Sequence, residues 1–363
     1  MMTGVLPSQF LRQMIAKGQI NGPPAILPDQ VQPASLDLRL GTVAIRVRAS
    51  FLAGAGRPVA DRLAEFEMHR VDLSSGAVLE KGCVYVIPLM ESLALPAGTT
   101  AVANAKSSTG RLDLLTRTIT DGGVEFDRIP EGYAGPLYAE VCPRSFSVLV
   151  RAGHRLNQIR FRQGQAVLTD AELATLHAAD PLVDGTPVIS EGLGFSVDLQ
   201  PLQSDLLGYR AKPHTGVIDL DRIAHYPARD FWEEIRSTDA RIILDPGAFY
   251  ILVSREAVTI PPDYAAEMAP YLAMVGEFRV HYAGFFDPGF GHRDASGVGS
   301  RGVLEVRCHE APFVLEHGQV VGRLVYEHMA ARPETLYGAG MASNYQGQGL
   351  KLAKQFRAAS TGS

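Results

Sequence analysis

The segment Lys106-Ser107-Ser108-Thr109-Gly110-Arg111 gathers two cations, two adjacent serines and a turn glycine. Serine hydroxyls and exposed backbone N–H groups donate to phosphate oxygens, while Lys and Arg neutralise their charge. The same residues also suit an ordinary polar loop, and the GxxxxGK[ST] spacing of a P-loop is absent. A second candidate is Glu140, the one charge in Pro136-Leu137-Tyr138-Ala139-Glu140-Val141. Such a side chain is either an outward-facing charge or a partly buried acid. Desolvation favours the protonated form of a buried carboxyl, which suits a proton shuttle near neutral pH. Glu305, in Gly302-Val303-Leu304-Glu305-Val306, takes a like position further along.

Strands must position these residues. After one helix over 7–18, with Ser8 as its cap and Gly18 at its exit, helical periodicity largely disappears. Apolar runs at 35–40, 83–88, 100–103, 137–141, 147–150 and 156–161 read as strands between Gly, Pro and Asp turns. Many short strands at close spacing imply a mainly β protein with few helices. Trp232, in Asp230-Phe231-Trp232-Glu233-Glu234-Ile235, reads as part of a short packed helix.

The pattern then repeats. Gly82-Cys83-Val84-Tyr85-Val86 aligns with Gly247-Ala248-Phe249-Tyr250-Ile251, 165 residues on (82 to 247). Glu91 and Glu256, Glu140 and Glu305, and Gly153 and Gly318 keep that offset, whereas Ser35-Leu36-Asp37-Leu38 echoes Ser196-Val197-Asp198-Leu199 at 161 (35 to 196). A shared offset over such a span indicates an internal duplication. The expected division is a β domain at 1–170, a linker at 171–190 holding a helical stretch at 171–178, and a second β domain at 191–363.

The composition bounds the function. With 363 residues, 46% hydrophobic and 20% charged, the chain can bury a sizeable core. A net charge of −5 argues against a general nucleic-acid or membrane-surface binder. Cys83, Cys142 and Cys308 are odd in number and form no CxxC pair, so no disulfide framework is expected. No HExxH occurs, and no HxE joins a PCxxC, so the zinc-deaminase signature is absent. Residues 1–6 lack a signal-peptide pattern and no run approaches the ~18 apolar residues of a membrane span, so a cytoplasmic protein is expected.

Gln32-Pro33-Ala34-Ser35-Leu36-Asp37-Leu38-Arg39-Leu40-Gly41, the 106–112 segment and the 135–140 strand resemble the successive motifs of the dCTP deaminases. That family has the trimeric dUTPase-like β-fold, so the resemblance implies two tandem dUTPase-like β-barrel or β-clip domains. Its serine motif usually begins with Arg, where this chain has Lys106. Tyr337, Tyr345 and Gln348 match nucleotide-binding positions of the family's tail, with Asn344 in place of its lysine. Phe286-Asp287-Pro288-Gly289-Phe290 resembles the family's sugar- and base-binding hairpin. Its nearest first-half equivalents are Asp121-Gly122-Gly123 and the 128–133 segment. Where the serine motif should recur, the 270–276 segment has neither a serine pair nor a cation.

The resemblance implies hydrolytic deamination of dCTP to dUTP and ammonia. Glu140 would move protons among water, N3 and the departing amine; Ser107 and Arg111 would position water and substrate; Lys106 and Ser108 would lie near the phosphates. Asp121, Asp287, Tyr337 and Gln348 would bind substrate, and Glu305 is the second-copy counterpart of Glu140. Mg²⁺ carried by the triphosphate, no zinc, and a homo-oligomer with inter-domain or inter-subunit sites are also implied. A dUTP diphosphatase, or a bifunctional deaminase–diphosphatase, shares the fold and the serine motif. A regulatory nucleotide-binding β protein without turnover is the reading from another class.

Overall fold

The structure is a computed structural model that describes residues 3–200, 205–270, 278–281, 284–295, 299–338 and 349–357. The runs read as strands form Leu36–Leu38, Val84–Ala94, Thr99–Ala105, Ala134–Pro143, Val148–Val150 and Asn157–Gln163. The chain is mainly β with few helices. It divides into two compact units: Met1–Ala166 with Gly216–Asp221 and Met329–Glu334, and Val167–Thr215 with Arg222–His328 and Thr335–Ser363. No helix among the described residues is long and apolar enough to cross a membrane.

The first unit is built on two larger antiparallel sheets. One orders Gly4–Val5, Asn157–Gln163, Thr99–Ala105 and Arg128–Ile129, with Leu36–Leu38 also on Asn157–Gln163. The other orders Glu67–Asp72, Val43–Val47, Val84–Ala94, Ala134–Pro143 and Leu114–Thr120, with Ile20–Asn21 on Val84–Ala94. Alternation sends Leu137, Ala139 and Val141 to one face of their strand, all fully buried, and Tyr138 and Glu140 to the other.

The opening helix spans Ser8–Ala16 and buries Leu11 and Met14, and Gly18 leaves it at φ +69°. Its N-cap is Pro7, without a side-chain cap bond, and Ser8 is buried inside the first turn. Pro7 holds the extended dihedrals of a cap, while the Ser8 N–H is spent on the carbonyl of Pro33. A second helix, Val59–Phe66, has no counterpart in the sequence reading; it buries only Val59 and Leu63.

In the second unit the larger sheets order Leu193–Ser196, Val320–His328, Tyr264–Pro270 and Phe285–Phe286, and Trp232–Arg236, Leu206–Ala211, Phe249–Val258, Ser300–Cys308 and Phe278–His281. Helix Asp170–Ala179 starts with the capping box of Thr169 and Glu172. Leu173, Leu182 and Val183, inside the stretch expected as a linker, belong to this unit's core.

Two further sequence expectations change. Leu40 and Val197 make the same exchange: each N–H donates to the carbonyl of His154 or Gln319, and each carbonyl accepts from Gly153 or Gly318. The structural offset at the start of the repeat is therefore 157 (40 to 197), not 161. Gly194, facing Arg323, stands where Asp37 faces Gln158. The two alignments differ by an even number of residues, which leaves every side chain on its own face, so alternation alone cannot separate them. Trp232 begins a strand rather than lying in a helix: it pairs with Ala211 and packs near Tyr209, Phe249 and Phe356.

Candidate active site

Strand Thr99–Ala105 ends at Lys106, whose extended backbone (φ −68°, ψ 148°) caps the single turn Ser107–Gly110. The N–H groups of Thr109 and Gly110 both donate to the Lys106 carbonyl, at 2.8 and 2.9 Å. Asp113, at φ +53°, then reverses the chain into strand Leu114–Thr120. It is pinned there by Ser145 Oγ, which donates to Asp113 Oδ2 at 2.6 Å, and by the Arg144 N–H on its carbonyl. The turn leaves Ser107 and Ser108 half-buried and draws Arg111 inside. Lys106 Nζ pairs with Oδ2 of the buried Asp37.

Glu140 is 1% exposed. Its cross-strand neighbours are Val86 and Arg117. Arg117 donates to Glu140 Oε1 through Nη2 (2.5 Å) and Nε (3.2 Å), whereas Oε2 has no partner among the described residues. The Arg117 guanidinium lies 3.6 Å from the centroid of the Phe126 ring and also donates to Ser50 Oγ. On the same face, Ile45, Val47, Phe51, Val59, Leu63, Val86 and Ile119 form an apolar cluster, with Phe126 and Tyr138 packed against it. One carboxylate oxygen thus stands on the face of an apolar cluster with no hydrogen-bond partner among the described residues, a costly arrangement in a core built only for stability.

Asp121 holds the helix that contributes Val59 and Leu63 to this cluster. Its Oδ1 accepts the Val59 N–H at 2.7 Å, capping the first turn of helix Val59–Phe66, and Gly54 and Gly122 tie the preceding loop to the same hairpin. Burial raises the Tyr138 phenol, with the Asp121 charge adding to it, and pushes Tyr133 up to about 12. Burial likewise raises the Cys142 thiol.

Asp287 and Tyr337 both lie in the second unit. Gly289, at φ +95°, leaves room for the chain that follows; a Cβ there would meet Leu336 Cβ at 2.9 Å. The Tyr337 N–H donates to the Pro288 carbonyl, and its ring packs on Phe290. Asp287 is buried at this hairpin. Glu305 is 4% exposed, and His281 stands opposite it in register, where the first unit has Arg117 opposite Glu140. Gln348 lies outside the described residues. Among the described residues, no group of three or more His, Cys, Asp or Glu could hold a metal ion.

Sequence reasoning passed over Arg117 and gave Asp37 no role of its own. Arg117 is the one charge in Leu114-Leu115-Thr116-Arg117-Thr118-Ile119-Thr120, a signal of the same kind as Glu140. Its pairing partner depends on strand register, which the residues themselves do not state.

The chain matches the models for the 2'-deoxycytidine 5'-triphosphate deaminase (DCD) N-terminal domain over residues 2–165 and C-terminal domain over residues 169–356. A relative from Beutenbergia cavernae, named dCTP deaminase, dUMP-forming, is 33% identical over 116 residues, covering 30% of this chain and 55% of the relative. A relative of the same name from Clavibacter michiganensis is 32% identical over 129 residues, covering 34% and 61%. The chain spans little more than half the length of these curated relatives. The crystal structure of 2'-deoxycytidine 5'-triphosphate deaminase from Agrobacterium tumefaciens superposes with a TM-score of 0.87 at 57% identity, covering 91% of this chain and all of that one. With both family domains matched in order along its length, this chain belongs to the 2'-deoxycytidine 5'-triphosphate deaminase family.

Proposed function

We propose that the protein hydrolytically deaminates dCTP to dUTP and ammonia. The observation that carries this reading is Glu140: buried, held through one oxygen by Arg117, and without a partner for the other among the described residues. In the reaction Oε2 takes a proton from water as the water oxygen bonds to C4 of the cytosine ring. Glu140 passes that proton to N3, and the tetrahedral carbon then collapses as the hydroxyl proton moves through Glu140 to the amine. The C4–N bond breaks and ammonia leaves, so the carboxylate ends as it began. Arg117 fixes the carboxylate, and the apolar cluster beside it limits bulk water.

Ser107 and Arg111 position water and substrate, and Lys106 and Ser108 take the phosphates, with Mg²⁺ arriving on the triphosphate and lowering the charge to be neutralised. Asp121, whose Oδ1 caps helix Val59–Phe66, is read as substrate-binding in the first unit. Asp287, Tyr337 and Gln348 are read as substrate-binding, with Glu305 the alternative proton carrier. The finer reading of the fold is two dUTPase-like β-barrel or β-clip units in a homo-oligomer.

The names of the two relatives favour one second reading, in which dUTP is further hydrolysed to dUMP and pyrophosphate. Incubation with dCTP and Mg²⁺, followed by quantitation of ammonia and every nucleotide, separates them. Ammonia with dUTP supports the first reading; ammonia with dUMP and pyrophosphate supports the second. Tight dCTP binding with no product would leave a regulatory protein instead.

A further inference from the structure

We propose that Asp37 is the positioning residue for Lys106, fixing its ammonium where the nucleotide's polyphosphate binds; this deepens the reading above and rests on it. Asp37 lies on strand Leu36–Leu38 and is 2% exposed. Its Oδ2 pairs with Lys106 Nζ, Arg155 Nη1 stands 3.9 Å from the same oxygen, and Oδ1 has no partner among the described residues. Arg155 is itself held by Asp29, through Nη2 on Oδ1 at 3.0 Å and Nη1 on the carbonyl at 3.2 Å, and this bond lowers the Asp29 carboxyl.

Pulling one partner from a buried ion pair leaves an uncompensated charge, so Lys106 is tied to Asp37 rather than free to swing. An ammonium is a point charge on a flexible stem and lacks the rigid fork of a guanidinium; orientation has to come from its surroundings. It carries three N–H donors, so one can serve Asp37 while two remain for phosphate oxygens. The Lys106 side chain is 27% exposed, open enough to meet a ligand without leaving its carboxylate.

The second unit provides the control. It forms the matching strands with Gly194 in place of Asp37 and Val320 in place of Arg155. The sequence position matching Lys106 is Tyr271, outside the described residues. By contrast, Glu91 and Glu256 persist in both units and accept the backbone N–H of Arg39 and Ser196, at 2.7 and 2.8 Å. The strand pairing therefore does not require Asp37. Carboxylate, lysine and arginine are present together or replaced together, as groups with one task are.

A double-mutant cycle tests this on the full chain, with Asp37→Asn, Lys106→Met and the double variant. Affinity for inorganic tripolyphosphate is read by calorimetry, alongside KM and kcat for dCTP. Each single substitution should weaken tripolyphosphate by about tenfold, the worth of one charge-assisted hydrogen bond. The double variant should bind no worse than Lys106→Met, and KM should rise while kcat stays within a few-fold. Equal weakening by Asp37→Asn in the native and Lys106→Met backgrounds would mean that Asp37 acts on its own, and the proposal falls. It falls equally if Asp37→Asn leaves binding unchanged, or if the native protein does not bind tripolyphosphate. Should Asp37→Asn not fold, Asp37→Glu keeps the charge, displaces the carboxylate and completes the same cycle. Intact coupling on tripolyphosphate without ammonia release from dCTP would sink the deaminase reading and leave this one standing.

Discussion

The two units place matching strands at matching intervals but set different chemistry on them. Tyr85 and Tyr250 occupy equivalent positions, and their hydroxyls accept the backbone N–H groups of Glu80 and Asp245. Glu91 and Glu256 both hold the strand that opens the repeat, one through Arg39 and one through Ser196. These contacts serve the backbone, and both units keep them. The pair Asp37–Lys106 and the Arg117 fork on Glu140 belong to the first unit. Among its described residues, the second packs Phe286, Phe290 and Tyr337 around its Asp287 hairpin. Contacts that recur are those a strand needs in order to be a strand; contacts that differ are where function is to be sought.

The largest test of that distinction compares the two glutamates. Glu140→Gln should remove ammonia release from dCTP by about 10²–10⁴-fold, since the amide keeps the shape but cannot carry protons. Glu305→Gln should stay within a few-fold of the native rate. The opposite result would move the reacting centre to the second unit.

Next in size is the backbone-holding pair. Glu91 and Arg39 are almost wholly buried. Glu91→Ala leaves Arg39 uncompensated and should destabilise the first unit by about 3–5 kcal/mol. Glu256→Ala removes hydrogen bonds from Ser196 without stranding a charge, and should cost the second unit about 2 kcal/mol. Amide hydrogen exchange on the strands of each unit reads both values separately. Equal losses would show that the ion pair adds nothing beyond the hydrogen bonds.

The smallest effect concerns the helix packed in the cluster beside Glu140. Asp121→Ala deletes the acceptor for the Val59 N–H and should cost about 1 kcal/mol of helix stability. Faster exchange across Val59–Phe66, with the second unit unchanged, is the expected signature. Unaltered exchange would mean that the helix is held by the packing of Val59 and Leu63 alone.

Much of this protein is written in local pattern. Apolar alternation between Gly and Pro turns announces the strands, because a pleated strand with one buried face has a period of two that the residues display directly. The Lys106–Arg111 turn and the lone Glu140 are visible for the same reason, as charge where alternation or turn chemistry makes charge conspicuous. Helix Val59–Phe66 was not, although Val59, Leu63 and Phe66 fall at helical spacing: it is only eight residues long, Pro58 at its N-cap offers no side-chain acceptor, and what anchors it is Asp121, sixty-two positions away. Nor did the residues state that Arg117 meets Glu140, that Lys106 meets Asp37, or that the repeat opens at an offset of 157 instead of 161. Each depends on strand register, and a register shift of an even number of residues leaves the pattern of buried and exposed faces intact. Only long-range hydrogen bonding and packing choose among such registers, and so the tertiary structure alone decided which charges in this chain are paired and which carboxylate oxygens are left over.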